Sequence, residues 1–178
     1  MDPVELFERA AADAARMARG VRPEWLSLPT PCSEWDVAAL LTHMAGGTAY
    51  LLNSLGLDPS SATSWPDERA VAVCAAALRE PGALERRCMS PANFEWSVAE
   101  AAAGTAMDQL IHTWDLAVAT GAARDLDSDV TEAIAAMFLP QMPEIGRQAG
   151  LVGPEIPVPP DATTQERLLA AMGRDPTS

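Results

Sequence analysis

Apolar residues recur at helical spacing in four long stretches of the chain. These stretches cover about residues 2–19, 34–55, 98–120 and 130–150, and each predicts a helix with one apolar face. A shorter Ala-rich stretch, residues 67–79, predicts a further helix. Pro140 and Pro143 fall inside the last long stretch, where we expect them to bend or split the helix.

Several residues mark where these helices begin and end. Ser97 followed by Glu100 is a capping box, and Ser33 followed by Asp36 resembles one. Gly121 is suited to end the helix that begins after Ser97. Residues 84–97, LERRCMSPANFEWS, show no clear period, so this segment is either a long connection or a brief pair of strands.

Composition agrees with a helical protein. The chain has 34 alanines against 10 valines and 4 isoleucines, a bias that favours helix over strand. We therefore predict an all-α fold. Residues 1–150 would form the helical body, and residues 151–178 a short, irregular, Pro-rich tail whose one helix, TTQERLLAAM, packs on that body.

Charge and hydropathy limit the partners. The formal net charge is −13, and all 12 basic residues are arginines without a cluster, so nucleic acid binding is disfavoured. No stretch has the roughly 18 to 20 apolar residues of a membrane span. The acidic beginning, MDPVELFERA, is unlike a signal peptide. We expect a cytoplasmic protein with no membrane partner that acts on a small molecule, and we leave a homodimer open.

The three cysteines, Cys32, Cys74 and Cys88, match neither a disulfide framework nor a zinc knuckle. We expect reduced thiols that are mostly buried. Cys32 precedes the second long helix and could approach a site there, but a buried, inert thiol is the simpler expectation. Trp35 and Trp114 are expected to be core or helix-packing residues.

Asp108 and His112 lie four residues apart on the third long helix, and two interpretations of this pair remain open. The pair could be the solvated face of the helix, a weak contact of about half a kcal/mol. Alternatively, the two side chains could bind one metal ion, because residues four apart project together. His43, the second of only two histidines, would then be the third ligand, from the facing helix.

Such a triad would leave coordination positions open for water or substrate, as catalytic metal sites do. Asp115, three residues beyond His112, could lie near the site and accept the other N–H of that imidazole, or it could instead act as a cap or pair with an arginine.

Three stretches carry a resemblance to a known family: TPCSEWDVAALLTHMAGG, DQLIHTWDLAVATG and the tail LVGPEIPVPPDATTQERLLAAMGRDP. They resemble the metal-binding group related to the N-terminal domain of mycothiol-dependent maleylpyruvate isomerase, within the DinB/YfiT-like superfamily. The resemblance implies an antiparallel four-helix bundle that holds a divalent metal, zinc or nickel, through His43, Asp108 and His112.

The resemblance also implies a reaction class. A low-molecular-weight thiol such as mycothiol would bind the metal as a thiolate, giving a transferase or an isomerase. This chain has Asp108 where the isomerase has Glu, and only a short tail where the isomerase has a second domain. Maleylpyruvate isomerisation itself is therefore not expected. A metal-dependent hydrolase and a non-catalytic metal-binding or stress protein are the alternatives.

Overall fold

The computed structural model describes residues 1–62 and 64–178 and is mostly helical. The described part contains seven α-helices and one small sheet, so the all-α prediction holds only approximately. The helices are α1 (Pro3–Arg19), α2 (Val37–Ser54), α3 (Glu68–Leu78), α4 (Val98–Thr120), α5 (Ser128–Phe138), α6 (Met142–Gln148) and α7 (Thr164–Ala171).

The helix ends follow the capping residues, with one correction. The capping box of Ser97 and Glu100 at the start of α4 is confirmed, and Gly121 ends this helix in the left-handed conformation. The second helix begins at Val37 rather than near Glu34, because Asp36 is its N-cap and accepts a hydrogen bond from the Ala39 amide. Trp35 therefore lies in the preceding loop.

The last long helical stretch is split, as the two prolines predicted. Helix α5 ends at Phe138, the chain turns through Pro140, and α6 begins at Met142 with Pro143 in its first turn. Proline is favoured in a first turn and excluded from a helix interior, which explains the break.

Residues 84–97 contain a brief pair of strands, one of the two structures predicted for this segment, rather than a long connection. Strand β1 (Arg87–Met89) pairs antiparallel with β2 (Glu95–Ser97), with Cys88 opposite Trp96. The turn between them includes Asn93 at a φ of 62°, a left-handed conformation that asparagine tolerates.

Helix α4 lies between two apolar clusters. One of its sides packs with α1, α2 and α3 around side chains that include Phe7, Leu40 and Leu116. The other side, with Leu110 and Trp114, packs against α5 and α7. The burial of Trp114 confirms that prediction. Because α4 is buried on both sides, several of its polar residues lie inside the protein, among them Thr105, Gln109, His112, Thr113 and Asp115.

The tail ends beside the helical body. Helix α7 begins with a capping box of Thr163 and Glu166, close to the predicted start of the tail helix. Its Leu168 and Leu169 join the second cluster. Across the described residues, no helix is long and apolar enough to cross a membrane.

Candidate metal site

The two histidines of the chain meet between α2 and α4. Their ring centroids are 4.8 Å apart, with the rings at 79° to each other. His43 Nε2 lies 2.9 Å from Asp108 Oδ1, and His112 Nε2 lies 3.3 Å from the same oxygen. One ligand atom from each of the three residues thus falls within 4.8 Å of the others. The structure brings together the residues that the sequence singled out as ligands.

This part of α4 is not a solvated face, so that interpretation of the pair is wrong. Thr105 and His112 are buried, and only 7% of the His112 side chain is exposed. The side chain of His43 is 37% exposed and that of Asp108 is 29% exposed. The site is therefore closed on the His112 side and open to solvent on the His43 side.

The residues present fit a cation. Asp108 Oδ2 is buried and has no hydrogen-bond partner among the described residues. A carboxylate oxygen in this position is costly unless it is paired or coordinates a metal. Gly47 lies beside it, and a Cβ at Gly47 would stand 3.4 Å from this oxygen. The absence of a side chain there leaves room next to the free oxygen.

Both ring nitrogens of His112 face carboxylates. Nε2 faces Asp108, and Nδ1 lies 2.8 Å from Asp115 Oδ2. Burial alone would lower the pKa of His112, but the charges and hydrogen bonds of Asp108 and Asp115 raise it well above the ordinary histidine value. Without a metal ion, these contacts therefore favour the protonated form of His112, which donates from both nitrogens.

The pKa of Asp108 is shifted in the opposite direction, downward. Burial would raise the pKa of its carboxyl group, but His112 and His43 together hold that pKa well below the ordinary value. Asp108 stays ionised and can only accept hydrogen bonds. The carboxylate of Asp108 therefore lies between the two imidazoles, with one oxygen 2.9 Å from His43 Nε2 and 3.3 Å from His112 Nε2.

Asp115 has both of the roles considered for it. It is fully buried, accepts from His112, and pairs with Arg174, whose Nη2 lies 2.9 Å from Asp115 Oδ2. Burial would raise the pKa of Asp115, but the contacts with His112 and Arg174 lower it. An ionised carboxylate on Nδ1 leaves the Nε2 of His112 directed at Asp108 and His43.

A second group of potential ligands, Cys32, His112 and Asp115, lies on the other side of the His112 ring. Arg174 Nη2 is 2.9 Å from both Cys32 Sγ and Asp115 Oδ2. A guanidinium in this place already supplies the positive charge and would repel a metal ion. In the described part of the chain, no arginine binds the other group, which consists of His43, Asp108 and His112.

Trp35 is not a core residue, but it packs against the first apolar cluster from outside, the second of the two roles expected for it. Its ring is half-buried and lies 4.4 Å from the His43 ring and 5.8 Å from the His112 ring, measured between centroids. The late start of α2 causes this, because it leaves Trp35 in the loop next to the open side of the site. The aromatic ring forms an apolar wall beside the two imidazoles.

The cysteines are less buried than predicted. Cys74 is fully buried, and burial raises its pKa to about 12. Cys32 and Cys88 are half-buried. Cys32 is the one that reaches the site region, where its sulfur contacts Arg174 and Asp115. Full burial thus holds for Cys74, whereas Cys32, expected as a buried thiol, is half-buried next to Arg174.

Comparisons with known proteins place the chain in a family. The model of the mycothiol maleylpyruvate isomerase N-terminal domain matches residues 7–70, a range that includes His43 and ends before Asp108. Two uncharacterized proteins of Mycobacterium tuberculosis, one from strain CDC 1551 / Oshkosh and one from strain H37Rv, are each 30% identical over 186 residues. The alignments cover 98% of this chain and 98% of each relative. No solved structure gives a significant match.

Residues 7–70 thus match the mycothiol maleylpyruvate isomerase N-terminal domain, the relation that the motifs indicated, and the whole chain belongs to one family with its two mycobacterial relatives.

Proposed function

We propose that the protein binds one divalent metal ion through His43, Asp108 and His112. The observation that carries this proposal is the buried Oδ2 of Asp108, which lacks a hydrogen-bond partner among the described residues and belongs to a carboxylate already flanked by two imidazoles. In this proposal α1 to α4 act as an antiparallel four-helix bundle of the DinB type, with α2 and α4 as the ligand-bearing pair.

The donor set favours zinc or nickel. Two imidazole nitrogens and one carboxylate oxygen suit borderline metals such as zinc and nickel better than calcium or magnesium, which prefer oxygen ligands. Three protein ligands leave at least one coordination position for water or substrate. The exposed edge of His43 and the ring of Trp35 would border that position.

We further propose that the bound substrate is a thiol and that the protein is a mycothiol-dependent transferase or isomerase. A divalent ion stabilises a thiolate at neutral pH, and the thiolate is the reactive form of a thiol. Asp108 would be a ligand, and Asp115 is held by Arg174, so neither carboxylate at the histidines serves as a general base. A reaction whose nucleophile loses its proton on binding suits this site better than one that needs a separate base.

The remaining parts of the proposal concern the location, the partners and the domain organisation of the protein. We propose a cytoplasmic protein that acts on small molecules and binds neither nucleic acid nor membranes, in keeping with a net charge of −13 and arginines that do not cluster. Residues 1–150 would hold the metal and residues 151–178 would be an accessory tail. A homodimer is compatible with this arrangement.

Metal analysis followed by thermal unfolding tests the proposal. The purified protein is analysed for bound metals, stripped, and melted with zinc or nickel, each with and without mycothiol. We expect each metal to raise the melting temperature and mycothiol to raise it further, whereas S-methylated mycothiol, which cannot form a thiolate, should add nothing. His43→Ala is the control that should lose both effects.

Other results would change the assignment. Stabilisation by metal alone, together with metal-dependent cleavage of an ester or amide, would replace the thiol chemistry with hydrolysis. Stabilisation by metal alone without any turnover would leave a metal-binding protein. If neither zinc nor nickel stabilises the protein, the metal site itself is wrong.

A further inference from the structure

The end of the tail is shaped to direct one arginine into the protein. Helix α7 ends in a Schellman motif, in which the Gly173 amide donates to Ala170 O at 3.0 Å and the Arg174 amide donates to Leu169 O at 2.9 Å. Gly173 has a φ of +78°, and a Cβ there would lie 3.0 Å from the Cα of Gly153. Only glycine fits this turn, which brings the chain back toward α4.

Arg174 makes a set of contacts that fixes its guanidinium group. Nη2 lies 2.9 Å from Asp115 Oδ2, Nε lies 3.3 Å from Asp115 Oδ1, and Nη1 donates to Met172 O at 2.8 Å. Nη2 also lies 2.9 Å from Cys32 Sγ. The arginine side chain is only 12% exposed, and that of Asp115 is fully buried. The contact is thus a two-pronged ion pair inside the protein, a geometry specific to arginine.

We propose that Arg174 is a positioning residue of the metal site and acts through Asp115 on His112. Its fork holds both oxygens of Asp115, so that Oδ2 stays 2.8 Å from His112 Nδ1 and the opposite nitrogen, Nε2, stays directed at Asp108 and His43. This inference rests on the proposed metal site and assigns the tail a part in it.

The need for a cation follows from burial. Asp115 has no exposed surface, and without Arg174 its oxygens would have only the His112 imidazole and the weakly donating Cys32 thiol, both on Oδ2, so the buried carboxylate would be poorly compensated. The guanidinium fixes the plane of the carboxylate, because Nε faces one oxygen and Nη2 faces the other. Both oxygens of a carboxylate paired in this way accept hydrogen bonds, so Nδ1 of His112 is the donating nitrogen.

Arg174 also selects between the two groups of potential ligands. Its charge lies within the group of Cys32, His112 and Asp115, where a metal ion would otherwise find three donors. Repulsion between the guanidinium and a divalent ion leaves the His43 side of the ring as the place for the metal. The same residue would therefore orient His112 and direct the ion.

Zinc affinity of the stripped protein, measured by competition with a chromophoric chelator, is the first test. Arg174→Gln should weaken zinc binding by about 10- to 100-fold, the usual effect of removing a partner of a metal-ligating histidine. Arg167→Gln is the matched control, because Arg167 lies on α7, the helix that precedes Arg174, and donates to Ala162 O, away from the site. This control should bind zinc like the wild type.

A double-mutant cycle shows whether Arg174 acts through Asp115. If it does, Arg174→Gln combined with Asp115→Asn should weaken zinc binding no more than Asp115→Asn does alone. Additive losses in the double variant would contradict the proposal, because they would mean that the arginine acts independently of Asp115.

A second readout needs no metal. Because the chain has only two histidines, an NMR spectrum of the stripped protein contains two imidazole groups, and a His43→Gln variant assigns them. The wild type should show a downfield His112 Nδ1–H signal protected from exchange by Asp115. In Arg174→Gln this signal should exchange faster or disappear. A folded Arg174→Gln protein with the protected signal and with zinc affinity within about twofold of wild type would overturn the proposal.

The outcomes separate this inference from the metal site itself. If the wild type does not bind zinc but the Nδ1–H signal still depends on Arg174, the metal proposal fails and the positioning of His112 stands. If Arg174→Gln does not fold, Arg174→Lys decides, since lysine keeps the charge but lacks the fork. Intermediate zinc affinity supports the proposal, and wild-type affinity with an unchanged Nδ1–H signal contradicts it.

Discussion

His43 Nε2 lies 2.9 Å from Asp108 Oδ1, although 65 positions separate the two residues in the chain. This contact joins α2 to α4 at the open end of the site. The same oxygen lies 3.3 Å from His112 Nε2, so one carboxylate faces both imidazoles. Asp108 is thus the centre of the site, and most of the predictions below depend on its charge.

Asp108→Asn should weaken zinc binding by more than about tenfold, because it removes the only anionic ligand while keeping the size of the side chain. The measurement is a chelator competition on the stripped protein. Asp13→Asn, which loses only a surface contact with Arg16, is the control and should have no effect. An Asp108→Asn protein with undiminished affinity would show that the metal, if bound, is held elsewhere.

Stability should depend on pH in opposite ways with and without metal. The raised pKa of His112 stabilises the metal-free protein fully below about pH 6.5, and this stabilisation is lost as the pH rises through the raised value. The lowered pKa of Asp108 contributes above about pH 4 and is lost in acid. Metal-free stability contributed by the site should therefore be greatest between these limits.

With zinc bound, the protein should gain stability as the pH rises above neutrality, because fewer protons then compete with the metal for the imidazoles. We expect the gap between melting temperatures in zinc and in chelator to widen from pH 6 to pH 8. The His112→Gln variant should show no such gap. Parallel curves for the wild type would refute the linkage of His112 to the metal.

Zinc binding should also release protons at pH 7. His112 carries a proton on Nε2 when it faces Asp108 without metal, and this proton must leave before the nitrogen can bind zinc. Calorimetric titrations in two buffers of different ionisation enthalpy should give a release of about one proton or more for each zinc bound. Equal heats in both buffers would mean that His112 is not a ligand.

Gly173→Ala should destabilise the protein more than Gly121→Ala. Both glycines have a positive φ, of 78° and 70°, which costs a non-glycine residue about 1 to 2 kcal/mol. A Cβ at Gly121 meets nothing within 4 Å, whereas one at Gly173 would press on Gly153. Denaturant unfolding of the two variants measures the difference. Equal losses would show that the tail does not pack closely where the structure has it.

Local sequence patterns predicted much of the helical structure. Helix α4 keeps the predicted bounds because its signals, the capping box of Ser97 and Glu100 and the final Gly121, are local in the chain. The pairing of Asp108 with His112 is local as well, since it depends only on helical spacing. The meeting of this pair with His43 is not local, and its expectation came from the number of histidines and from the family.

Features that depend on tertiary contacts could not be predicted in the same way. Trp35 reaches the histidines because a bridge between Pro29 and Asp36 holds the loop that precedes α2 and delays the start of the helix. Arg174 is 59 positions from Asp115, and no spacing rule connects the two. Gly173, just before Arg174, signals a turn. The packing of α7 on α4 and α5, however, decides which residue Arg174 meets.

Zinc stoichiometry of the His43→Ala, His112→Ala double variant is the most direct test of the metal site. The wild type, stripped and then reloaded, should bind one zinc ion per chain by elemental analysis after gel filtration. The double variant should remain helical by circular dichroism, because its core does not depend on the ion, and should bind none. A folded double variant that still retains one zinc per chain would contradict the assignment of His43, Asp108 and His112 as the metal site.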